Sequence, residues 1–111
     1  MTMKLNQKEQ QALRKFRTAL KKALTDNLLE VKLFGSKARG DAQKDSDIDV
    51  LVIISSGDWH MCDVVYGIAT DILLETEVCI SPKVIGRKEY NILYNSGNPF
   101  MKNIIREGIT V

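Results

Sequence analysis

Asp47 and Asp49, one residue apart in Ser46-Asp47-Ile48-Asp49-Val50, are spaced to share a cation. They open the run Asp47–Ile54, short and rich in Val and Ile, which is expected to be a strand. Side chains alternate across a strand, so both carboxylates fall on one face and Ile48 on the other. Like charges held side by side repel unless a cation lies between them. Magnesium suits that position, because it takes oxygen ligands and is often held by one or two carboxylates plus substrate phosphates.

Ten residues separate Asp47 from Gly35-Ser36, the pair that closes the apolar segment Val31-Lys32-Leu33-Phe34. Glycine at such a joint lets a ligand approach the backbone closely. Ser36 can cap a short helix begun by Lys37-Ala38-Arg39 and also offer its hydroxyl, and free N–H groups at a helix start bind phosphate. Lys37 and Arg39 add positive charge nearby, in directions the sequence does not give. Each motif alone is commonplace, a turn or an exposed strand end. Together, each attached to an apolar strand, they suggest a nucleoside triphosphate at the turn and magnesium at the aspartates. Gly35 and Gly40 have the glycine spacing of a P-loop, but Asp41 stands where that motif needs Lys. Arg39-Gly40-Asp41 spells an adhesion tripeptide; the turn accounts for it, and no secretory signal supports an extracellular role.

Gly35-Ser36-x-Ala38-Arg39-Gly40 and Ser46-Asp47-Ile48-Asp49 resemble the signature of the minimal nucleotidyltransferase family, within the DNA polymerase beta-like superfamily. Ile80-Ser81-Pro82 and Arg106-Glu107-Gly108-Ile109 resemble segments of its small single-domain members. The resemblance implies transfer of a nucleoside monophosphate from a triphosphate to an acceptor hydroxyl, with release of pyrophosphate. It implies that Gly35, Ser36 and Arg39 bind the nucleotide and that Asp47 and Asp49 hold Mg2+. A third carboxylate from a neighbouring strand would complete a two-metal site for in-line displacement. Many small members are antitoxins paired with a HEPN-domain ribonuclease toxin, and some transfer AMP from ATP to a tyrosine of that toxin. The resemblance therefore implies ATP as donor and a HEPN-domain toxin as partner.

The third carboxylate is sought on strand three, expected over Glu77–Ile85, where Glu77, Cys79 and Ser81 share a face. Glu77 is the leading candidate for the third metal-binding and catalytic acid. A two-residue slide of the alignment places Cys79 at the acid position instead. Glu75 is a further possibility, better placed to end the preceding helix. Glu77 as a solvated acid at a strand start also stays open.

The elements that must position these residues are expected in an α+β order, a small mixed sheet with helices packed on it. Asn6-x-x-Glu9 is a capping pair, after which Leu13, Phe16, Leu20 and Leu24 recur at helical spacing until Thr25-Asp26-Asn27. Strand one covers Leu29–Phe34, and a polar loop, Gly40–Ser46, leads to strand two. Ser56 or Asp58 caps a helix running to about Glu75, with Val64, Val65, Ile68, Ile72 and Leu73 apolar. Strand three precedes a helix near Arg87–Tyr94. Asn98 caps a last helix, Pro99 opens it and Gly108 stops it. The tail Ile109–Val111 is expected to tuck against the core or to meet a partner.

At 111 residues the chain is expected to be one domain, 1–111, with a single core. Hydrophobic content of 44% and charged content of 27% fit a soluble globule rather than a disordered or membrane-spanning chain. The single His, His60, excludes His-dependent triads and multi-His metal sites. Two cysteines, Cys62 and Cys79, suggest neither zinc nor a disulfide framework and fit a cytoplasmic setting. A net charge of +2 does not imply nucleic-acid binding. The basic residues of the first stretch (Lys4, Lys8, Arg14, Lys15, Arg17, Lys21, Lys22) read as a solvated helix face, with a surface for an acidic partner as the sharper alternative. The chain leaves no room for a separate acceptor-binding domain, so the acceptor would come from another protein or a second copy. The expected function is AMP transfer to a protein hydroxyl. The alternative is a catalytically degenerate module that neutralises a partner by binding alone. Transfer to a small molecule such as an aminoglycoside ranks last.

Overall fold

The computed structural model describes residues 5–39, 47–56 and 58–111; the expected loop Gly40–Ser46 and the side chains of Ser36 and Arg39 lie outside the described residues. Helix α1 spans Gln7–Leu24 and begins with the expected capping box: the Asn6 side chain accepts from the Glu9 N–H, and the Glu9 side chain accepts from the Asn6 N–H. A 3-10 turn, Thr25–Asn27, leads into β1, Leu28–Phe34. The short helix α2, Ser36–Arg39, follows, and then β2, Ile48–Ile54. Helix α3, Trp59–Thr76, is capped by the Asp58 side chain, which accepts from the His60 N–H. β3 spans Ile80–Gly86, α4 Arg87–Asn95 and α5 Pro99–Glu107, the last with Asn98 as its cap and Pro99 in its first turn.

The sheet order is β3-β2-β1-β4, where β4 is Ile109–Thr110. β1 pairs antiparallel with both β2 and β4, whereas β2 and β3 run parallel, as a crossover through α3 allows. The tail thus extends the sheet, and the Val111 N–H also donates to the Val31 carbonyl at 3.0 Å.

β2 is covered on both faces, which explains its near-continuous apolar run. Ile48, Val50, Val52 and Ile54 belong to the larger core with Phe16 and Leu20 of α1 and Val65 and Ile72 of α3. Leu51 and Ile53 face the other way, into a smaller cluster with Ile85 of β3 and Met101 and Ile104 of α5. Asp47 and Asp49 share the second face, at the N-terminal end of β2.

Candidate active site

The parallel register between β2 and β3 and the antiparallel register between β1 and β2 decide what surrounds the two aspartates. Asp49 pairs with Phe34 on β1 and with Ser81 on β3. Phe34, Asp49 and Ser81 therefore lie in a row on one sheet face. One step before the strand, the Ile48 N–H donates to the Cys79 carbonyl at 3.0 Å, which sets Cys79 beside Asp47.

Gly35, directly after β1, closes the site from the other side. Its φ is +75°, a conformation that side chains rarely adopt. A Cβ added there would lie 2.6 Å from Asp49 Oδ2. The bare backbone of the turn thus rests on the carboxylate that the sequence assigns to a cation. Lys37, two residues on, turns inward: its Nζ sits 2.6 Å from Glu9 Oε2, and the side chain is 3% exposed. It supplies no charge to the mouth of the site.

Glu77 is not brought to the aspartates. It ends α3 in a left-handed conformation, φ 63°, three residues before β3 begins. Its carboxylate is 88% exposed and lies 3.8 Å from Lys8 Nζ on α1. Glu75 pairs with Lys15 of the same helix at 2.6 Å. Cys79 takes the place beside the pair. Partial burial raises its thiol above the usual value of 9.0; a hydrogen bond to Asp47 and the charges of Asp47 and Asp49 raise it further. These surroundings favour the protonated thiol over the thiolate. A protonated thiol is no ligand for a hard cation. Among the described residues, no group of three or more His, Cys, Asp or Glu side chains is placed to hold a metal ion. Asp47 and Asp49 remain two oxygen donors on one face, enough for a magnesium ion whose other ligands are phosphate oxygens and water.

The rest of this face was not legible as part of the site. Lys83 pairs with Leu51, one step along β3 from Ser81 on the same side. Its ammonium lies 5.7 Å from the centroid of Phe100 at the start of α5. Phe100 meets Phe34 edge-on at 5.6 Å. Polar Ser81 and cationic Lys83 alternate with Ile80, Pro82 and Val84, a pattern that marks a two-faced strand but not which face meets a ligand.

The nucleotidyltransferase domain model matches residues 13–99. A protein of Methanocaldococcus jannaschii, provisionally assigned as a protein adenylyltransferase, is 35% identical over 100 residues, covering 90% of this chain and 94% of that protein. A toxin–antitoxin complex solved with AMP-PNP contains a chain that superposes with a TM-score of 0.54 at 17% identity, over 86% of this chain and 68% of that one. A chain of an MntA–HpeT toxin–antitoxin complex superposes with a TM-score of 0.54 at 15% identity, over 97% and 72%. These solved structures share the fold seen here.

Proposed function

Because the chain belongs to the nucleotidyltransferase family and is an enzyme of that class, we propose that it transfers AMP from ATP to a hydroxyl group of a partner protein, in the presence of magnesium. The observation that carries this reading is the seating of the Gly35 turn on Asp49, with Asp47 next to it on the same face. A triphosphate lying along that turn meets two carboxylates that can accept a shared cation. Magnesium bound there would offset phosphate charge and polarise the phosphoryl oxygens.

The protein's own part is positioning. Gly35 admits the phosphates to the backbone, while Asp47 and Asp49 are the residues that would hold the cation, which when bound would neutralise phosphate charge. Ser36 and Arg39 enter as nucleotide-binding residues on the strength of the motif. The acceptor oxygen forms a bond to the α-phosphorus as the bond from that phosphorus to the bridging oxygen breaks. Pyrophosphate leaves with the electron pair, and the hydroxyl proton passes to solvent. Glu77, directed at Lys8, has no part in this scheme.

A protein acceptor is supported by the M. jannaschii relative, and a toxin partner by the toxin–antitoxin neighbours. We assign the partner to the HEPN-domain class on the resemblance of the signature residues. No helix among the described residues is long and apolar enough to cross a membrane, and the free cysteines fit a cytoplasmic setting. Cys79 favours a second reading: a thiol in place of a carboxylate suits a module that binds its partner without modifying it.

The test is a mass spectrum of the co-expressed partner after incubation with this chain, ATP and magnesium. A mass increase of AMP units that is absent with an Asp47→Ala/Asp49→Ala variant supports transfer. A stable complex with no increase supports the second reading, and the proposal of AMP transfer then fails.

A further inference from the structure

We propose that Glu9 and Lys37 are positioning residues for the nucleotide: their buried ion pair fixes the Gly35 turn against Asp49 and couples the first turn of α1 to the site. The inference rests on the nucleotide-binding reading of that turn. A lysine directly after Ser36 could serve as an exposed counter-charge to phosphate. Instead its ammonium is 2.6 Å from Glu9 Oε2, and the two side chains are 3% and 11% exposed. The other oxygen of Glu9 accepts from the Asn6 N–H at 3.1 Å, and Asn6 Oδ1 accepts from the Glu9 N–H at 2.8 Å. One carboxylate thereby ties the start of α1 to α2.

The lever between this pair and the site is short. One residue separates Lys37 from Gly35, and Ala38, 1% exposed, packs into the core. The Gly35 backbone in turn sits so near Asp49 that a single added methyl group would collide with the carboxylate. A small shift of α2 therefore moves the Gly35 backbone relative to the carboxylate beside which a phosphate would lie. Stability alone does not account for the pair. Two buried charges can often be exchanged for apolar groups at little cost, whereas removing one strands the other. What the ion pair adds is a fixed direction, because the ammonium must meet an oxygen already held by the capping box.

That asymmetry supplies the experiment. Glu9→Gln and Lys37→Met are made singly and together. Each protein is melted, titrated with AMP-PNP and magnesium by calorimetry, and followed by hydrogen exchange over residues 6–12. Each single variant should melt below the wild type, and the double variant should recover much of the loss. AMP-PNP affinity of the double variant should nonetheless stay about tenfold weaker, the size expected of coupled neighbours. In the wild type, AMP-PNP should slow exchange in the first turn of α1, and in the double variant that protection should vanish. A purely structural pair leaves affinity and protection unchanged once folding is restored, and that result overturns the proposal. Lys37→Arg covers the case in which the double variant does not fold. It keeps the charge but displaces it, so it should melt somewhat below the wild type, remain folded at the assay temperature and bind AMP-PNP more weakly; unchanged affinity overturns the proposal equally. Absence of AMP-PNP binding by the wild type instead overturns the nucleotide reading itself.

Discussion

Replacing Gly35 with Ala tests the contact on which the site is built, and the same chain contains its own control. Gly35 and Gly97 share nearly the same φ, +75° and +73°. Placing an L-residue in that left-handed region costs roughly 1–2 kcal/mol. For a domain of this size that is a fall in Tm of about 5–10 °C. The two positions differ in what the new methyl group meets. At Gly97 the nearest atom is Lys102 Cε at 3.7 Å, an ordinary contact with the end of a flexible chain. At Gly35 it is Asp49 Oδ2 at 2.6 Å. To restore ordinary contact the carboxylate must retreat by about 0.8 Å. A misplacement of that order can cost about a hundredfold in rate. Gly97→Ala should therefore lose stability and keep both AMP-PNP affinity and AMP transfer. Gly35→Ala should lose a similar or larger amount of stability and about a hundredfold in transfer. The assays are thermal melting, AMP-PNP calorimetry, and adduct formation on the partner well below both melting points. Full transfer by Gly35→Ala, or an equal loss in Gly97→Ala, refutes the argument that the turn acts through Asp49.

Other substitutions probe the acid position and the core. Cys79→Asp places a carboxylate beside Asp47 and should raise AMP transfer about tenfold or more if a missing third ligand limits the rate; an unchanged rate means that Cys79 does not limit it. In a Cys62→Ser background, Asp47→Asn should lower the Cys79 thiol pKa, because both the hydrogen bond and the charge that raise it are lost or weakened. Iodoacetamide should then label Cys79 faster at pH 8 than in the same background with Asp47 intact, and equal rates would refute the contact. The sign for stability follows: a thiol raised above 9.0 favours the folded state below that pH, and the contribution is lost as pH rises through the folded value. Ile104, 1% exposed between α5 and the sheet, should cost about 2–5 kcal/mol as Ala. Its neighbour Ile105, 44% exposed, should cost no more than about 0.5 kcal/mol, and denaturant melts of both check the assignment of α5's inner face.

The elements that carry local signals were legible in the sequence. Asn6 with Glu9, Asp58, and Asn98 with Pro99 announce helix starts by side-chain chemistry that acts within four residues. Strand two was legible because its Val/Ile run has no competing helical period. What escaped was set by tertiary context. The tail Ile109–Val111 is apolar either way, and only the open edge of β1 makes it a strand. The direction of Lys37 was equally hidden, since its partner Glu9 had already been explained by the capping box.

The misplacement of Glu77 has a more specific cause, and it bears on the chemistry. No glycine marks the end of α3, so nothing in the sequence shows that a glutamate adopts the left-handed cap. Val78 and Ile80 alternate correctly for a strand starting at either residue 77 or 80. The register is fixed instead by the Ile48 N–H to Cys79 carbonyl bond, which no pattern of one strand encodes. The consequence, among the described residues, is a site with two carboxylates and a thiol where a third acid was expected. One negative charge fewer makes the approach of a polyanionic triphosphate less unfavourable, and one oxygen ligand fewer weakens the hold on a second cation. Under the proposed function, the Gly35 turn with Asp49 should therefore bear on both nucleotide binding and transfer, and residue 79 chiefly on transfer.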